Sequence, residues 1–144
     1  MLVVVNTSPL IALGRIGRLN LLKELFGSVT RPQSVLDELN AGRRDCEFAS
    51  DLFTADWILT EPDPPDSVLR KELGRGETAA IALALKIKAD LIILDDLQAR
   101  LVAENLGLRI TGTIGVLLYA YRKGLINNLD QVILQLQENG FRIS

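Results

Sequence analysis

The chain has 144 residues, 48% of them hydrophobic, with 16 basic and 18 acidic side chains, a net charge of −2 and no histidine. That length fills one good core and not two, and the charge excludes the broad positive field of a nonspecific nucleic-acid binder, leaving such a partner to local basic clusters. The missing imidazole excludes Ser-His-Asp triads, Cys-His pairs and most zinc sites, so the chemistry left is that of carboxylates.

No apolar stretch approaches the roughly 18 residues of a membrane span, and Met1-Leu2-Val3-Val4-Val5 lacks a basic leader. The expectation is a soluble, cytoplasmic protein with no membrane partner, folded as a single domain over 1–144. The lone Cys46 has no internal disulfide partner and reads as a small half-buried thiol.

From the amino end, Val3-Val4-Val5 reads as a buried strand ended by Asn6-Thr7-Ser8-Pro9, cap residues followed by a proline suited to a first helical turn. Leu10, Ile11, Leu13 and Ile16 form the apolar side of a helix, and 19–26 forms a second helical segment stopped at Gly27. Within it Leu19, Leu22 and Phe26 suit either the core, the commoner fate of such a stripe, or a dimer or antitoxin surface. Residues 28–30 make a second strand. Pro32 then opens a helix whose Val35, Leu36 and Leu39 sit at helical spacing, which turns Asp37 and Glu38 to other parts of the cylinder.

A further helix is expected over 41–56, with Phe48, Leu52 and Phe53 inward, and a third strand over 57–60. Pro62, Pro64 and Pro65 force a loop at 61–66, after which Ser67 caps a short helix through Leu73. Gly74-Arg75-Gly76-Glu77 introduces a helix over 78–89 whose alanines at 79, 80, 82 and 84 permit close approach to a sheet. These glycines match neither a dinucleotide fingerprint nor a phosphate loop.

Leu91-Ile92-Ile93-Leu94 is a short, fully apolar strand that breaks off into Asp95-Asp96. A helix over 97–106 stopped at Gly107, a strand over 108–110, a helix over 114–123 capped by Thr113, a helix over 128–139 and an edge strand over 141–143 complete the pattern. Alternating strands and helices imply an α/β fold with a parallel sheet covered on both faces. In such a sheet the carboxyl ends share one edge, where ligands bind, so Asn6 and Asp95 converge there. Glu77 at a helix start is by itself a helix-stabilising charge, and Glu38 by itself a solvent-facing one. Candidate basic clusters are Arg15 with Arg18, Arg43 with Arg44, Arg70 and Lys71 with Arg75, and Arg122 with Lys123.

Val-Asn-Thr-Ser-Pro-Leu-Ile at 5–11, Asp37-Glu38-Leu39, Gly-Glu-Thr-Ala-Ala-Ile-Ala at 76–82, Leu-Asp-Asp at 94–96 and Thr-Gly-Thr-Ile-Gly-Val-Leu at 111–117 together resemble PIN-domain proteins, in particular an uncharacterised prokaryotic branch. The resemblance spans essentially the whole chain. It implies a three-layer α/β/α fold with a central parallel sheet and a magnesium- or manganese-dependent ribonuclease acting on RNA. It also implies the toxin half of a toxin–antitoxin pair, with an antitoxin or a second copy as protein partner. Carried over by position, it places Asn6, Glu38, Glu77 and Asp95 around the metal with Asp96 beside them, and Glu38, Glu77 and Asp95 as catalytic residues.

The chemistry is consistent with that assignment, because magnesium and manganese are hard cations that take oxygen ligands and keep several waters. Thr7, Ser8 and Thr113 suit contacts with phosphate or metal-bound water, although helix capping is the ordinary role of each. The chain departs from the family at Asn6, where an aspartate is usual. An amide oxygen can coordinate a cation but brings no charge, which weakens both metal affinity and activation of bound water. The alternative is therefore a weakened PIN-like module that binds RNA or a protein without cutting. A phosphoacceptor receiver domain also places acids at a strand end, but there the pair does not follow a late strand.

Overall fold

The computed structural model describes residues 1–42, 50–65 and 73–143. Cys46, Phe48, the arginines at 43 and 44, Arg70, Lys71 and the helix expected from Ser67 lie outside the described residues.

Five strands form one sheet: β1 (Val3–Val5), β2 (Val29–Pro32), β3 (Ile58–Glu61), β4 (Leu91–Ile93) and β5 (Ile110–Thr111). Their spatial order is β3-β2-β1-β4-β5, with every neighbouring pair parallel. The helices are α1 (Thr7–Arg15), α2 (Leu21–Phe26), α3 (Gln33–Ala41), α4 (Asp51–Thr54), α5 (Arg75–Ile87), α6 (Leu97–Asn105), α7 (Thr113–Arg122) and α8 (Leu129–Glu138).

The two-residue period of a strand divides the central valines and isoleucines between two cores. Val3, Val5 and Ile93 pack with Leu10, Leu13, Leu22, Leu117 and Leu136, from α1, α2, α7 and α8. Val4, Ile92 and Leu94 face the other way, onto Ala80, Ile81, Ala84 and Ala99 of α5 and α6. This is the expected three-layer arrangement, and the buried alanines of α5 give that helix the slim face a close sheet contact needs. Leu19 and Leu22 are buried and Phe26 packs against the first core, so this stripe belongs to the interior.

Several boundaries differ from the sequence expectation. Helices α1, α5 and α7 begin three, three and one residues earlier, at Thr7, Arg75 and Thr113, because extended Asn6, Gly74 and Gly112 occupy the cap positions before them. The helix expected over 41–56 is not continuous: α3 closes at Gly42, whose N–H reaches Glu38 and Asn40 carbonyls, and only Asp51–Thr54 is helical after the gap. No strand forms over 141–143. The Phe141 N–H instead bonds the Leu136 carbonyl and that of Gly140, at φ +92°, bonds Gln137, a Schellman closure that spends on α8 the donor a ladder would need. Among the described helices none is long and apolar enough to cross a membrane.

Candidate functional site

The chain leaves β1 toward β2 on one side and leaves β4 toward β5 on the other, so the two neighbouring strands diverge beyond their carboxyl ends. A crevice opens at such a switch point. The ladder runs one residue past the strand, with Asn6 N–H donating to the Ile93 carbonyl at 3.1 Å, and this holds Asn6 against the segment that carries Asp95.

Asn6 stands at the cap position of α1 with extended backbone, yet its side chain makes no capping bond. It is 5% exposed, and its Oδ1 is buried without a hydrogen-bond partner. Leaving such an acceptor unsatisfied costs about 1–3 kcal/mol, which is tolerated where a ligand supplies the missing partner.

Asp95 is held from two sides. Thr113 donates through its backbone N–H at 2.7 Å and its hydroxyl at 2.6 Å, and the Ser8 hydroxyl donates at 3.1 Å. Glu38, projecting from α3, accepts from the Thr7 hydroxyl at 2.7 Å. Asp96 caps α6, accepting from the Ala99 N–H at 2.9 Å. The three hydroxyls thus orient carboxylates rather than cap helices, correcting the ordinary role expected of them; the caps are Asn6 and Gly112 by backbone alone.

Glu77, in the first turn of α5, has its carboxyl pushed up to about 7, chiefly by burial. The neighbouring Asp96 charge, a hydrogen bond to Asp96 and the Glu38 charge add to the rise, while the Gly74 N–H opposes it. Two glycines make the crowding possible. A Cβ on Gly76 would collide with the Glu38 carboxylate, and one on Gly112 would lie 2.9 Å from Asp95 Oδ1. The Gly-Glu and Gly-Thr pairs of the sequence are therefore places where backbone must pass close to an acid.

Asn6, Glu38, Glu77, Asp95 and Asp96 all line one cavity of about 790 Å³, as do Thr7 and Ser8. Thr113 is fully buried behind Asp95 and does not line it. Among the described residues no group of three or more acidic or thiol side chains is disposed to hold a metal ion. Each acid is drawn instead to its own donor: Glu38 to Thr7, Asp95 to Thr113 and Ser8, Asp96 to the start of α6.

The far wall was not anticipated from the sequence. It combines Ile11, Ala12 and Arg15 of α1 with Leu136, Phe141 and Arg142 at the end of α8. The α1 part had a usable signal, since Ser8, Ile11, Ala12 and Arg15 follow the i, i+3, i+4, i+7 spacing of one helix face. The α8 part had none. Arg15 braces the wall by donating to the Asn139 carbonyl at 3.2 Å. Arg75 pairs instead with Asp37 at 3.3 Å and Asp63 at 3.9 Å, so that basic residue serves an exposed internal contact.

A family model described as DUF3368, PIN domain, matches residues 2–144. Among solved structures the chain is similar to a PilT N-terminus domain protein, SSO1118, from the hyperthermophilic archaeon Sulfolobus solfataricus P2. The match covers 100% of both chains at 15% identity and a TM-score of 0.53, a likeness of fold. No curated protein matches.

Proposed function

The chain belongs to the PIN-domain family DUF3368, and we propose that it is a divalent-metal-dependent ribonuclease whose reacting centre is the acidic cavity at the β1/β4 switch point. The observation that carries this reading is Asn6 Oδ1, a hard oxygen buried without a partner beside four carboxylates in one hollow. RNA as the target and a toxin as the cellular role follow from the family resemblance.

The residues fit a magnesium or manganese ion in chemical type. Amide and carboxylate oxygens are the donors such ions take, a cation would satisfy the orphaned Asn6 oxygen, and it would offset the burial and the Asp96 and Glu38 charges that raise Glu77. Asn6, Glu38, Glu77 and Asp95 would hold it. When bound, such an ion neutralises charge on a scissile phosphodiester and activates water for in-line attack.

The protein's own contribution is orientation and proton handling. Thr113 and Ser8 keep the Asp95 carboxylate in one rotamer, and Thr7 does the same for Glu38. Without the ion the Glu77 carboxyl, near 7, keeps its proton to neutral pH, so uptake of the cation would displace that proton. A second reading, a module that binds without cutting, is favoured by the neutral Asn6 and by the separate tethering of Glu38, Asp95 and Asp96.

The test pairs manganese calorimetry with cleavage of a fluorophore–quencher single-stranded RNA. Asn6→Asp is expected to raise manganese affinity by roughly tenfold, about 1.4 kcal/mol, and to speed cleavage. Asp95→Asn is expected to lower both. Unchanged cleavage in Asn6→Asp would remove Asn6 from the reacting centre, and absence of manganese binding together with retained RNA binding would establish the second reading.

A further inference from the structure

A second cavity, of about 350 Å³, adjoins the acidic one at Asp95. It shares Asp95, Phe141 and Arg142 with the acidic one, so these residues form the wall between two adjoining chambers. The charge reverses across that wall. In the larger chamber Glu38, Glu77, Asp95 and Asp96 outnumber Arg15 and Arg142, whereas in the smaller one Asp95 alone faces Arg100 and Arg142.

Among the described residues neither the Arg100 nor the Arg142 guanidinium has a carboxylate partner. Arg100 is half-buried and reaches Gly112, where a Cβ would lie 3.2 Å from its Nη1. With two guanidinium groups set against the single Asp95 carboxylate, the hollow carries a net positive charge that attracts an anion, and a guanidinium fork suits phosphate oxygens in particular. Phe141 is half-buried at the partition, leaving part of its ring to a flat, apolar ligand group. Both volumes fall within the roughly 300–1,000 Å³ typical of sites for organic ligands.

We propose that the smaller chamber is a phosphate subsite for the nucleotide adjoining the one bound at the acids, with Arg100 and Arg142 as its contacts and Phe141 as the stacking surface between the two. The inference rests on the ribonuclease reading for the identity of the strand, and it adds three binding residues to that reading. Arg142 and Phe141 belong to the segment that leaves α8 by its Schellman turn, so the turn that withholds this segment from the sheet also delivers it to the partition.

The experiment measures binding of a fluorescein-labelled single-stranded decauridylate by anisotropy in EDTA, across a salt series. Arg100→Ala and Arg142→Ala are each expected to weaken binding about tenfold. Each also lowers the slope of log affinity against log salt by about 0.7, the loss of one phosphate contact on a single strand. The lysine variants at both positions retain the slope, and Phe141→Ala weakens binding while leaving the slope unchanged.

Arg122→Ala, on the exposed end of α7, is the reference for nonspecific charge loss. Arginine variants indistinguishable from Arg122→Ala, or a wild-type protein that fails to bind the probe, overturn the subsite. Manganese-dependent cleavage separates the two readings. Probe binding that depends on Arg100 and Arg142 in a protein that never cuts upholds the subsite and removes the nuclease; normal cleavage in both alanine variants with unchanged binding removes the subsite and keeps the nuclease.

Discussion

Glu77 makes the folded protein sensitive to pH in a direction opposite to that of an ordinary surface acid. Its carboxyl titrates at about 7 in the fold against 4.5 as the usual value, so the native state binds the proton more tightly than the unfolded chain. The stability tied to that proton is complete below about 4.5 and is lost as pH rises through about 7. Melting curves in EDTA are expected to show a fall in Tm between those limits, and Glu77→Gln, neutral at every pH, to flatten it. An undiminished slope in the glutamine variant would assign the effect to another group. Asn6 poses the converse problem, an uncharged side chain whose exposed lone pairs would be ordinary and whose buried Oδ1 is not. Arg31 shows how the same interior treats a cation that is satisfied. It is 3% exposed, donates to the Leu52 carbonyl at 2.6 Å and to the Thr60 hydroxyl at 3.1 Å, and is lowered in pKa by burial.

The packing of α5 against α3 is where local helix preference and site geometry conflict. Alanine favours a helix over glycine by about 1 kcal/mol, yet a Cβ at position 76 takes the space of the Glu38 carboxylate. That carboxylate ends a flexible side chain and can swing away, so Gly76→Ala is expected to hold or raise Tm while lowering manganese affinity. Parallel thermal and calorimetric measurements check the opposite signs; a loss of both would mean that the helices themselves had separated. The sheet was legible because β1 and β4 are short apolar runs and β2, β3 and β5 each open on a β-branched apolar residue near turn residues, and all five lie within about two residues of expectation. Asp95, Asp96 and Glu77 stood out through motifs that end or begin those elements, whereas Glu38, within α3, was singled out by the family resemblance alone. What stayed hidden is contact between distant segments. Asp63 in the proline loop binds the Ser34 N–H at 2.9 Å and also its hydroxyl, capping α3 from 29 residues away, because Pro32 at the cap has no side-chain acceptor. Likewise Thr7, Ser8 and Thr113 look like caps until the fold sets carboxylates beside them.

Taken together, the elements place most of the cavity's charge at one edge of one sheet, so ligand binding and folding are linked throughout the protein. A divalent ion at a hundredfold excess over its dissociation constant is expected to stabilise the native state by about 2.7 kcal/mol. For a chain of this length that corresponds to a rise in Tm of roughly 5–10 °C, read by calorimetry in manganese, magnesium and EDTA. Identical curves in all three would contradict a metal centre. The strand order β3-β2-β1-β4-β5 has a further consequence for synthesis, in which amino-terminal segments emerge first. A nascent chain carrying Asn6 and Glu38 has one flank of β1 bare until β4 is made, and it lacks the aspartate and threonine that follow at 95 and 113. Translation thus leaves the hollow incomplete until late, its two halves meeting only once the second half of the chain has emerged.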